Sequence, residues 1–208
     1  MSTIAATWAA ALTLTLSSAS APATDDALDM SEALCFANAA DPTKVISAAD
    51  AAGWGNETSF DRPGRPGSDP VDVSSVVSDT ADGRWRTLRT QRGFMVLKVD
   101  ENFRSTPQVR FRSRTCTISR VGVGEGHVEE RLRARMGRDP NVAGEGFGMW
   151  SYDDLGGPPV FVTVDEPGAA LAMWLGALKL VGAKSTSFGD HASADVVIYS
   201  ELSLAPKP

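Results

Sequence analysis

The chain has 208 residues, 42% of them hydrophobic, and a formal net charge of −6. That is enough chain to bury one sizeable core without help from a metal or a second domain. The acidic balance, with no nucleic-acid-binding motif and no aromatics interleaved among the arginines, argues against a nucleic-acid partner.

Residues 1–23 hold no charged side chain, are rich in Ala, Leu, Thr and Ser, and close on Ala21-Pro22-Ala23, a small-x-small pattern that a signal peptidase reads. The prediction is a signal peptide over 1–23 and a single mature domain over 24–208, periplasmic or secreted. The apolar run from Ile4 to Leu16 is 13 residues, against roughly 20 needed to cross the hydrocarbon core, so no stable membrane span is expected in the mature chain. No Cys follows the apolar run closely enough to be a lipid-anchored first residue.

Beyond Thr24, Asp25 and Asp26 offer caps for a helix from about Ala27 to Ala39, with Met30, Leu34 and Ala37 on one stripe and Cys35 beside it. Asp41-Pro42 reads as N-cap and first helical position of a second helix to about Ala52, which Gly53 closes and over which Trp54 folds back. Residues 55–70 concentrate Pro and Gly around a single large apolar residue, Phe60, and are expected to be a loop.

Strands dominate next. Arg84 to Thr90 and Gly93 to Asp100 flank a short turn, and Gln108 to Arg120 follows. In that third strand Val109, Phe111 and Ser113 alternate with Arg110, Arg112 and Arg114, so the arginines share one face. Continued, the same period puts Cys116 and Ile118 on the arginine face; either a bulge resets the parity or that face becomes buried toward its end. A helix from about His127 to Met136 carries Val128, Leu132 and Met136 on its apolar stripe. Residues 139–159 are again rich in Gly and Pro, with Phe147, Trp150 and Tyr152 as anchors; Val160 to Val164 reads as a strand. Over 168–182 the pattern fits a helix or the return strand of a hairpin, with the hairpin favoured. A last strand runs from Asp195 to Leu204, and no internal repeat is evident. Helices segregated from a run of hairpins indicate an α+β fold: a mainly antiparallel sheet with two N-terminal helices and one central helix.

The two cysteines, Cys35 and Cys116, are expected to form a disulfide, since an exported chain with an even count most simply pairs them. Charge is unevenly spread: residues 84–138 hold 14 basic and 5 acidic side chains, so the remainder is strongly acidic. Three guanidinium groups, Arg110, Arg112 and Arg114, spaced about 7 Å apart on one strand face, could take a phosphate, a sulfate or a carboxylated glycan.

Other chemistries find less support. Gly122-Val123-Gly124-Glu125-Gly126 lies where a dinucleotide fingerprint would, but the third glycine comes one position early and Glu125 would repel a pyrophosphate. His127 and His191 are the only histidines, and no spacing supplies the further ligands that zinc requires, so neither metal nor cofactor is expected. Asp190-His191-Ala192-Ser193 places acid, base and hydroxyl too close along a loop to make a triad. Asp153-Asp154 and Asp165-Glu166 sit in turns, where adjacent acids are ordinarily solvated.

Cys35 on an Ala-rich helix, the helix end Ala51-Ala52-Gly53-Trp54 and the strand Cys116-Thr117-Ile118 resemble a pattern in small exported proteins of Gram-negative bacteria that carry no assigned function. The resemblance implies export and a paired Cys, and brings no catalytic residue. The sequence therefore points to an exported, non-catalytic binding or interaction module of the bacterial envelope, with a partner protein or an anionic envelope component as ligand. The alternatives are a small envelope hydrolase whose acids converge only in the fold, and an inhibitor or immunity-type protein.

Overall fold

A computed structural model describes residues 25–78, 80, 84–105, 110–124, 126–140, 142–153, 178–188 and 192–205. The leader expected over 1–23, His191, Asp154, Asp165-Glu166 and the strand expected at 160–164 lie outside these residues. So does most of 168–182, of which 178–182 is strand.

Asp26 opens the first helix, α1 (Ala27–Ser31), its carboxylate accepting from the Leu28 and Asp29 amides at 3.0 Å. The expected single helix does not continue regularly: Glu32–Phe36 forms a π-helical turn, and Ala39 and Ala40 follow with φ of 51° and 47°. The wider turn admits one extra residue, so Leu34 and Cys35 are both buried where a regular stripe would turn one aside. Helix α2 (Pro42–Ala51) follows its sequence signals closely. Asp41 caps it, Pro42 takes the first position, Gly53 adopts φ 83°, and Trp54 folds back with its amide bonded to the Ala49 carbonyl.

The Pro/Gly-rich stretch is more ordered than a plain loop. Its ends are held by a two-stranded antiparallel ribbon, β1 (Ser59–Phe60) with β2 (Val71–Asp72), and one turn of helix, α3 (Ser74–Val77), comes directly after. Between them Arg-Pro-Gly occurs twice in succession, a short repeat that periodicity on the scale of whole elements does not reveal. Gly64 and Gly67 have φ of 72° and 81°, and the Arg65 and Ser68 amides bond to the Arg62 and Arg65 carbonyls. These are the marks of two consecutive type II turns, with proline and glycine in the central positions.

The main sheet has seven strands in the order β3-β4-β5-β9-β8-β7-β6, with every neighbouring pair antiparallel. They are β3 (Trp85–Arg89), β4 (Gly93–Ser105), β5 (Arg110–Val123), β6 (Val142–Gly144), β7 (Phe147–Asp153), β8 (Leu178–Phe188) and β9 (Ala192–Ala205). The fold is α+β with a mainly antiparallel sheet. A fourth helix, α4 (Val128–Met136), ends at Gly137 with φ 65°.

Two features differ from expectation. Residues 142–153 form the β6–β7 hairpin, because Gly144, Gly146 and Gly148 conceal the alternation that buries Trp150. The one-turn helix α3 adds to the expected three. Among the described residues no helix is long and apolar enough to cross a membrane.

Helices α1, α2 and α4 cover one sheet face. Leu28, Leu34 and Leu132 pack there against Leu97, Ile118 and Tyr199, and burying each such side chain contributes about 1.5–3 kcal/mol. Across that layer Cys35 in the π turn is bonded to Cys116 on β5, with Cα atoms 5.6 Å apart. The opposite face is covered at one end, where Phe60, Val73 and Val77 pack on Phe94 and Val96.

Candidate anion-binding site

Strand β5 sets the geometry. Its pairing runs unbroken from Arg110 to Gly122 with β4 and to Val123 with β9, so no bulge resets the parity. Arg110, Arg112, Arg114, Cys116, Ile118 and Arg120 therefore all lie on one face, and that face is the one the helices cover. Of the two alternatives the alternation left open, a bulge or burial of the arginine face toward its end, the structure takes the second. Cys116 and Ile118 form the centre of the core on the arginine side, while Phe111 is buried on the other face.

Along this single row the arginines meet three different environments. Arg120 is 7% exposed; its Nη1 lies 3.4 Å from Asp195 on β9 and its Nε 3.4 Å from Asp25, just before α1. The Ser185 hydroxyl donates to Asp195 at 2.8 Å and accepts from the Val128 amide at 3.0 Å, which ties the start of α4 into the same group. The glycine cluster now has a physical account. A Cβ on Gly126 would collide with Asp195, and one on Gly122 would crowd the Arg120 guanidinium, so these glycines make room for the buried pair.

Arg114, in the middle position, is also neutralised. Its Nη2 lies 2.9 Å from Asp41 and its Nε donates to Glu101 at 2.8 Å. Asp41 is thus both the cap of α2 and the anchor of that helix to the sheet. Burial pushes the Asp41 carboxyl up, but the Lys44 amide and the Arg114 guanidinium outweigh it and hold the group below its ordinary value.

Arg110 and Arg112 complete the row. The Arg110 guanidinium sits 4.4 Å over the ring of Phe103, which is 48% exposed on the neighbouring strand. The Arg112 Nε is buried and has no hydrogen-bond partner among the described residues. Among the described residues no carboxylate forms an ion pair with either side chain.

Of the three arginines expected to act together, the structure thus separates one. Arg114 belongs to the helix–sheet joint, whereas Arg110 and Arg112 with Phe103 make a patch of positive charge that no carboxylate among the described residues neutralises, beside an exposed ring. No protein-family model, curated protein or solved structure matches this chain. Its functional reading accordingly rests on its own geometry.

A second polar cleft, of about 270 Å³, opens between β5, β9 and α4 and is lined by Asp25, Arg120, His127, Arg131 and Asp195. Sequence reasoning missed it, because its members come from four elements; the signal was an Asp in the apolar run of β9 and the unpaired parity of Arg120. Its carboxylates lie against guanidinium groups: Asp25 and Asp195 against Arg120, and Asp26 against Arg131. His127 lies 3.5 Å from Glu130, its neighbour one helical turn on. Among the described residues no group of three or more His, Cys, Asp or Glu could hold a metal ion.

Proposed function

We propose that this protein is an exported, non-catalytic binding module of the bacterial envelope that holds an anionic component through Arg110 and Arg112. The observation that carries the reading is the contrast within one strand face. The chain supplies carboxylates to Arg114 and Arg120 and none, among the described residues, to Arg110 and Arg112. A buried donor left unmet, such as the Arg112 Nε, costs stability that an incoming anionic oxygen restores on binding. Guanidinium groups pair with phosphate and carboxylate through forked, charge-assisted bonds, so the ligand class is a phosphorylated, sulfated or carboxylated polymer. Phe103 would hold the Arg110 plane and offer an apolar surface to a sugar or lipid body.

Export rests on the uncharged leader and fits the Cys35–Cys116 bond, since disulfides persist where thiols oxidise. The finer helix arrangement serves the site indirectly: α2 brings Asp41 to Arg114.

Calorimetric titration of the purified mature protein with polyphosphate and with polygalacturonate tests the reading. Wild type should bind at least one of the two more weakly as salt rises, and R110Q/R112Q should weaken it by about tenfold or more. Equal binding by wild type and the double variant overturns the assignment.

A further inference from the structure

The tandem Arg-Pro-Gly turns lie over the open sheet face and create a second site, unrelated to Arg110 and Arg112. A groove of about 470 Å³ runs between the turns and the sheet, lined by Val71, Val121, Ala192 and Ala194 with Arg62, Pro63 and Arg65 above. Val71 and Val121 also flank the smaller apolar cluster built on Phe60 and Phe94, so the floor is continuous with packed core. Size and lining match small-molecule pockets, which are mostly apolar with a few convergent polar groups.

Three observations define the occupant. Arg62 and Arg65 are exposed, and among the described residues neither forms an ion pair, while the nearby Asp61 is engaged by Arg89 at 3.1 Å. The ligand therefore carries negative charge at one end. Val121, Ala192 and Ala194 present side chains alone, because their strands are interior ones hydrogen-bonded to neighbours on both sides. An extended peptide would find no unpaired ladder along Val121, Ala192 and Ala194, which make up most of that floor, whereas a hydrocarbon chain needs none. The two Pro-Gly turns also fix the backbone under both arginines before anything binds, which limits the ordering cost.

We propose that this groove binds a single-chain amphiphilic anion, a long-chain carboxylate whose alkyl body lies on Val71, Val121, Ala192 and Ala194 and whose head meets Arg62 and Arg65. The probe is dodecanoate below its micelle concentration, titrated calorimetrically into the full mature protein with dodecyltrimethylammonium as the opposite-charge control. Dodecanoate should bind and the cation should not. R62Q/R65Q, two changes on exposed turns, should weaken dodecanoate by about tenfold or more; A194F, which fills the groove, should remove binding, and R110Q/R112Q should leave it unchanged. Equal binding of both amphiphiles, or wild-type affinity in R62Q/R65Q, overturns the proposal. Displacement of dodecanoate by an acidic leucine-rich peptide at lower concentration also overturns it, by assigning the groove to a protein partner. A result confined to R62Q/R65Q leaves the polymer reading of Arg110 and Arg112 standing, and the reverse result leaves this one.

Discussion

The two ends of β5 carry the same side chain on the same sheet face and use it in opposite ways. Near Val123, Arg120 is enclosed by Asp25 and Asp195, with Ser185 and the start of α4 behind them. Near Arg110, two guanidinium groups extend the row with an aromatic ring beside them and no carboxylate among the described residues. The difference lies in the neighbours, because strand alternation treats every arginine in the row alike. A guanidinium given partners becomes part of the scaffold, and one left without them remains available to a ligand.

The sharpest way to break the contrast is to remove Arg120. R120A leaves Asp195 largely buried without its counter-charge and should cost about 3–5 kcal/mol, read as a large drop in the urea midpoint. Midway along the same face, the disulfide fixes the π turn to the strand. Replacing Cys35 and Cys116 by Ser opens a span of 81 residues and should cost up to about 4 kcal/mol in the chain-entropy account. Reducing and non-reducing mass spectrometry of the purified protein should show the linked peptides, and two alkylatable thiols in the folded chain would reject the bond.

A smaller effect belongs to Arg114, which is partly exposed. R114Q should cost about 1–2 kcal/mol, between the values for surface and buried pairs. It should also change the response to acid. The Asp41 carboxyl is held below its ordinary value of 3.8 in the fold, so its contribution is complete above that pH and is lost as pH falls through the folded value. Stability measured from pH 6 downward should therefore fall less steeply below pH 4 in R114Q than in wild type; an unchanged acid limb would remove Asp41–Arg114 from the scaffold.

How much of this could be read from the sequence follows the range of each interaction. Helix α2 was legible because its cap, its proline and its terminal glycine are all local, and β5 because alternation is a property of one strand. The site face was legible in the same way: Arg110, Arg112 and Arg114 do share a side. What covers that side was not legible, since Asp41 and Glu101 approach Arg114 from other elements. The Arg120 group draws on Asp25, Ser185 and Asp195, none adjacent in the chain, and its sequence traces, Asp195 in the apolar run of β9 and the parity of Arg120 on β5, lie on separate strands. Glycines also concealed the β6–β7 hairpin, because three of them alternate with the residues that would mark a strand. The π turn had no signal at all in a stripe analysis based on a regular helix.

The central claim is that charge neutralisation divides β5 into scaffold and site, and paired variants measured for both stability and binding test it most directly. R110Q/R112Q should keep the wild-type urea midpoint within about 0.5 kcal/mol while losing about tenfold or more in polyphosphate affinity. R114Q should show the converse, a lower midpoint with affinity retained. If R110Q/R112Q instead lowers the midpoint as far as R114Q and leaves anion binding untouched, all three arginines are structural and the division fails.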